Sequence, residues 1–183
     1  ENEHPRDASK EFVATIDGID VYRSPRALPR AFLVDRLERL EGPDALFQRM
    51  HDESFDPATV ALTDAPVLPL AGNGGEAPGF ARIDEWTTTS VTVAVDAKTR
   101  SVLVLTDAWY PGWKAYAEGG ELGVFPVYHN FRGVVVEPGI SRVAFRFESA
   151  PLRAGLWASS LTMAIMSLGA GWILMRRRRS CAP

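Results

Sequence analysis

The chain has 183 residues, 46% of them hydrophobic with five Trp and nine Phe, which is enough apolar mass for one ordinary domain with a sizeable core and excludes an intrinsically unfolded chain. All 23 Asp and Glu precede Pro151, so residues 1–150 set 15 basic against 23 acidic groups, a net −8, while the remainder carries only Arg153 and Arg176 to Arg179. An acidic body excludes nucleic acid as a partner, because phosphates are met by clustered Lys and Arg; the single cysteine, Cys181, excludes an intramolecular disulfide.

The first residues, "ENEHPRDASKEF", contain neither an initiator Met nor a basic and apolar signal peptide, so the chain reads as a piece of a longer protein. "FVATI" and "IDVYR" flank Asp17-Gly18, a hairpin signal because glycine accepts the positive φ of a primed turn. "RAFLVD" reads as a third strand. "GPDALFQRMHD" is the one helix, with Pro43 in its first turn and Leu46, Phe47 and Met50 on a shared face. "ATVALT" is a further strand, and "LAGNGGEAPG", residues 70–79, is a loop rich in turn formers.

Alternation then becomes stronger. Val91, Val93 and Val95 share one face of a strand, and a turn near Ala97 to Arg100 leads into Val102 to Leu105, a continuous apolar run that predicts a strand buried on both sides. "LTDAWYPGWKAY" follows. Its Trp109, Tyr110, Trp113 and Tyr116 suit two roles: flat rings for stacking on a sugar, or aromatic side chains closing one end of a core around a Pro111-Gly112 turn, the role favoured by the residues alone. In "RGVVVEPGISRVAFRF", Glu137-Pro138-Gly139 is a turn, and Val143, Phe145 and Phe147 alternate with Arg142, Ala144 and Arg146.

From Ala154 to Met175 the chain runs 22 residues without a charge, long enough at about 1.5 Å per residue to cross a hydrocarbon core of about 30 Å. Trp157 and Trp172 stand near its ends, small residues recur at Ser160 with Ala164 and Ser167 with Gly171, and "RRRR" follows, which by the positive-inside tendency puts the C-terminus in the cytoplasm. The expectation is therefore a mainly β fold of eight to ten strands. It comprises a jelly-roll-like β-sandwich over 1–150 with one short helix and outside the cytoplasm, one transmembrane helix over 151–176 in the lipid bilayer, and a basic cytoplasmic tail over 177–183.

Catalytic and metal chemistry find no foothold. Asp84 with Glu85 and Asp52 with Glu53 are neighbours in sequence, and on a strand such neighbours point to opposite faces. His4, His51 and His129 are scattered with no partner at ligand spacing, and "GNGG" lacks the strand-to-helix setting of a phosphate loop, so no catalytic residue, metal site or cofactor is predicted.

The order of motifs adds a resemblance. "LPRAFLV" at 28–34, "FDP" at 55–57, "VLVLTDAWYPGWKAY" at 102–116, "FRGVVVEPG" at 131–139 and "VAFRFESAPLRAG" at 143–155 resemble, in that order, the C-terminal region of the YfhO family of bacterial multi-pass membrane proteins. The resemblance implies an extracytoplasmic β-rich domain set after a bundle of transmembrane helices and followed by a last helix. Its parents look like GT-C-type glycosyltransferases that use polyprenyl-phosphate sugars, with a catalytic acid in an early external loop outside these 183 residues. It also implies a role accessory to sugar transfer, with the upstream helices and a lipid-linked sugar or glycan as partners. Ala117-Glu118-Gly119 departs from the family's Val-Asp-Gly-like turn, and the stretch Phe147 to Pro151 departs from its late Tyr-x-Pro. The rival reading, from another class, is a membrane-tethered carbohydrate-binding or structural module without transferase activity.

Overall fold

The computed structural model describes residues 10–25, 27–72 and 77–180, with the side chains of the last helix described from Ala154 to Gly169 and at Trp172. Fourteen strands and two helices follow in the order β1 Glu11–Ile16, β2 Ile19–Arg23, β3 Ala31–Val34, β4 Arg36–Arg39, α1 Gly42–Met50, β5 Val60–Thr63, β6 Leu70–Ala71, β7 Gly79–Trp86, β8 Ser90–Ala97, β9 Ser101–Ala108, β10 Trp113–Ala117, β11 Gly120–Leu122, β12 Val124–Val127, β13 Phe131–Val136, β14 Arg142–Phe147 and α2 Ala150–Ser180. The fold is mainly β, as expected, but its strands among the described residues exceed the eight to ten predicted. The additions are chiefly short or charged segments such as β4, β6 and β11, which carry little alternation, and β7, which lay hidden behind the Gly-rich loop.

Two sheets frame one core. The five-stranded sheet β11-β10-β14-β8-β7 turns Val91, Val93, Val95, Val143 and Phe145 toward Leu33, Leu103, Leu105, Val134 and Val136 of the four-stranded sheet β12-β13-β9-β3. The other face of the four-stranded sheet is covered too. There Phe32, Val34, Val102, Val104, Phe125 and Val127 pack on a third layer made of β5-β4-β6 and α1, through Leu37, Leu46 and residues Val60 to Leu62. This is why the run Val102 to Leu105 is apolar at every position: β9 has no solvent side, and all four residues are fully buried.

The third layer departs from a purely antiparallel pattern. β4 and β5 pair in parallel, and the connection through α1 supplies the crossover that parallel neighbours require. Of the predicted apolar face of α1, Leu46 is buried and Met50 half-buried, whereas Phe47 is 62% exposed, against expectation, and stacks on His51. At the start of the chain, β1 and β2 form the predicted hairpin, with Asp17 and Gly18 both at positive φ and Ile16 opposite Ile19. Of the predicted 70–79 loop, Leu70 and Ala71 form β6, Gly79 opens β7, and residues 73–76 lie outside the described residues.

Tyr128, at positive φ after β12, fixes the third layer to the second. Its ring is buried and its hydroxyl proton is shared between the carbonyls of Pro57 (2.8 Å) and Val60 (3.0 Å). Burial, reinforced by the charge of Asp56, pushes the phenol well above its ordinary value. The folded state thus holds this proton more tightly than the unfolded chain, so the contribution is complete below the unfolded tyrosine value of about 10 and declines as pH rises beyond it. Tyr128→Phe is expected to cost about 1 kcal/mol at neutral pH and to flatten the alkaline fall in stability; urea unfolding of both forms between neutral and alkaline pH measures this.

α2 starts at Ala150, one residue before the predicted span of 151–176, and continues beyond its end to Ser180, so the first residues of the predicted 177–183 tail are helical. Residues 181–183, and the side chains of Arg176 to Arg179, lie outside the described residues. Among the described residues no helix is long and apolar enough to cross a membrane. Every described side chain from Ala154 to Gly169 is exposed, including Leu156, Trp157, Leu161, Met163, Ile165, Met166 and Leu168, so this stretch lies against no part of the β body.

Candidate functional site

The aromatic stretch sits where the chain passes from one sheet to the other. β9 belongs to the four-stranded sheet and β10 to the five-stranded sheet, and only residues 109–112 join them. Gly112 makes the passage possible. Its φ is +110°, and a Cβ there would approach the Phe147 ring at 3.1 Å and the Glu148 carbonyl at 3.3 Å. The connection is stitched by the Trp109 N–H donating to Asn130 O (2.6 Å) and the Glu148 N–H donating to Gly112 O (2.7 Å).

The four rings singled out by sequence do not share one surface. Trp113 opens β10 on the inward face, half-buried against the core, with its ring 5.5 Å from that of Phe147. Tyr110 is 63% exposed and lies 6.2 Å from the same Phe147 ring. Tyr116, three residues along the strand from Trp113, falls on the opposite face by the period of two. Its hydroxyl donates to Glu148 Oε1 (2.9 Å), and that bond, with some burial, raises its pKa. Trp109 is half-buried. Tyr110 and Trp113 thus gather around Phe147, while Tyr116 belongs to the outer face of the five-stranded sheet.

Beneath Trp113 lies a residue that sequence reasoning passed over. Arg132, on β13, is 95% buried, with its guanidinium carbon 3.5 Å from the centre of the Trp113 ring. Its Nε donates to Ala108 O (2.9 Å), its Nη1 stands 3.8 Å from Asp107 Oδ2, and that Nη1 has no hydrogen-bond partner among the described residues. Burial lowers the guanidinium pKa, Asp107 opposes the shift and Arg30 adds to it. Arg30 in turn grips Asp107 with two hydrogen bonds (2.7 and 3.0 Å), which raise its pKa, and covers Trp86 at 5.0 Å. The series Trp86, Arg30, Asp107, Arg132, Trp113 therefore runs from the five-stranded sheet across the four-stranded sheet and back, closing one end of the core. Sequence foreshadowed only that Phe147 shares a face with Val143 and Phe145; its pairing opposite Trp113 was not foreseen.

On the outer face, Tyr116, Glu118, Ser141 and Arg142 line a polar groove of about 520 Å3, where Ser141 Oγ donates to Glu118 Oε1 (3.0 Å). Lys114 lies between Glu121 (3.5 Å) and Glu148 (3.7 Å), and Glu121 chiefly raises its pKa. Of the acid pairs, Asp84 is engaged by Arg82 and Arg142, and Asp52 accepts from Ser54, whose side-chain and backbone bonds hold its carboxyl below the usual range. No group of His, Cys, Asp and Glu among the described residues is placed to hold a metal ion.

No family model, curated protein or solved structure matches this chain. The chemistry the geometry supports is that of packing and contact. Rings, paired charges and a polar groove are present, and in that groove the Tyr116 hydroxyl is bonded to the Glu148 carboxylate, which raises its pKa.

Proposed function

We propose that the chain is the membrane-tethered end of a YfhO-like envelope protein: a jelly-roll-like β-sandwich outside the cytoplasm, carried on α2 as a transmembrane helix, with the C-terminus in the cytoplasm. Its role is accessory to the transfer of sugar from a polyprenyl-phosphate donor to an envelope acceptor, and catalysis belongs to the part of the parent that precedes it, with its early external loop. The observation that carries the tether is α2 itself. Seven large apolar side chains from Leu156 to Leu168 are exposed around the helix, and burying each in lipid is worth about 1.5–3 kcal/mol, so water is the costly surrounding and a bilayer or neighbouring helices the favourable one. The hydroxyls of Thr162 and Ser167 suit such surroundings, since they donate to Ala158 O and Met163 O within the helix (2.9 Å each).

Protease added to spheroplasts making the full-length parent is expected to degrade the β domain and spare the tail; protection of the domain would overturn the topology. Purified residues 1–183 are expected to turn over no polyprenyl-phosphate sugar. The second reading, a tethered carbohydrate-binding module without transferase, is favoured by one feature, the polar groove beside Tyr116. Glycan binding by the chain, lost in Tyr116→Ala and preserved when the upstream helices are removed, would select it.

A further inference from the structure

The two ends of the β body differ in polarity. At the end where α2 departs, three connecting segments, 86–90 (WTTTS), 108–112 (AWYPG) and 129–131 (HNF), contain no Asp, Glu, Lys or Arg, while Arg30 comes in just before β3 and Glu148 just before α2. At the opposite end the turns carry Lys98 and Arg100, Glu118, and Glu137. The register shows that the uncharged segments lie together. Phe147, close before the start of α2 at Ala150, pairs with Trp113 and donates its N–H to Thr89 O (2.9 Å) at the β7–β8 tip, and Phe131 pairs with Ala108 at the other end of the 109–112 connection. Two rings on this end are more than half exposed, Trp86 at 58% and Tyr110 at 63%. Of the charges at its margin, Arg30 is matched by Asp107 and Lys114 by Glu148, while Glu85 stands exposed beside Trp86.

An uncharged surface of Trp, Tyr, Thr and Asn has the composition that partitions into the headgroup layer of a bilayer: ring faces meet the acyl boundary while indole N–H, phenol and hydroxyl groups stay hydrated. The geometry points to this end of the β body as a membrane-contacting surface, with Trp86 and Tyr110 seated among lipid headgroups and the charged end directed away. The inference rests on the reading of α2 as a membrane helix and deepens it, because the domain then sits on the bilayer and does not hang free of it. The short connection through Ser149 and the bond from Glu148 N–H to Gly112 O hold the helix start and the rings in one unit, which is what such seating requires.

Cys181 is the only cysteine, so Cys181→Ser leaves a background in which one nitroxide can be attached at an introduced cysteine. The full chain, reconstituted in phosphatidylethanolamine–phosphatidylglycerol vesicles, is labelled in turn at Thr88→Cys, Lys98→Cys and Ile165→Cys. Relative collision with oxygen and with a water-soluble nickel chelate is then read by electron paramagnetic resonance. The expected result is a hydrocarbon depth for 165, a headgroup depth for 88 with severalfold higher oxygen preference than 98, and a fully aqueous 98. Combining Trp86→Ser with Tyr110→Ser is expected to move the label at 88 toward the aqueous value while 165 stays in place. A label at 88 as aqueous as that at 98, with 165 in hydrocarbon, would overturn the seating and leave the tether standing. A label at 88 immobilised and reached by neither reagent would overturn it in favour of a protein neighbour. An aqueous 165 would overturn both.

Discussion

Trp113→Ala is expected to destabilise the β domain by about 3–5 kcal/mol, the range for truncating a large aromatic side chain in a core. The ring touches the main core on one side, Phe147 beside it and the Arg132 guanidinium on its face, so truncation opens a cavity and also uncovers a buried cation whose Nη1 has no hydrogen-bond partner among the described residues. Water entering the gap would hydrate Arg132 and recover part of that cost, which keeps the expectation within the packing range. Trp113→Phe retains a ring for both neighbours and should lose clearly less. Trp109→Ala should also lose less, because the bond to Asn130 is made by its backbone and survives truncation. Urea unfolding of the full chain in detergent, followed by the circular dichroism of the strands, measures all three. A Trp113→Ala protein within about 0.5 kcal/mol of the parent that had lost glycan binding would show the ring to be a sugar platform instead.

The second large effect is expected at Gly79. Its φ is +114°, and an added Cβ would stand 1.8 Å from the carbonyl oxygen of Asp96 and 3.2 Å from the Cα of Ala97, both backbone atoms of the paired strand β8. No rotamer change relieves such a contact, so the start of β7 must leave β8 or change its backbone conformation. Conformational strain of about 1–3 kcal/mol adds to overpacking of about 1–3 kcal/mol, and Gly79→Ala should cost about 3 kcal/mol or more. Gly119→Ala is the control, with nothing within 4 Å of the added carbon and no left-handed φ to lose. The same unfolding measurement should separate the two variants widely; equal stabilities would mean that the edge of the sheet yields freely at β7.

Local chemistry was legible where a period or a turn carries it. Val91, Val93 and Val95 announce a one-sided strand, Val102 to Leu105 a two-sided one, Asp17-Gly18 a hairpin, and the uncharged run after Ala154 a long helix, because each of these is decided by residues within a few positions of one another. The position of Tyr116 on the face opposite Trp113 was contained in the same period of two. Phe47 was misjudged because helical spacing identifies a face without saying how far the facing layer extends.

What tertiary structure alone decided are relations across long separations. The four-stranded sheet pairs residues 31–34 with 102–105 and so becomes a middle layer; no local pattern reports that a third layer covers it. Arg132 is buried although arginine is ordinarily exposed, since Trp113 and Asp107 reach it from other strands. The three uncharged segments at one end of the body, 86–90, 108–112 and 129–131, are each unremarkable in the sequence and adjacent only through strand register. Periodicity tells a residue which way to face, but the identity of what it faces depends on chain-distant partners, and those are selected by how whole sheets pack.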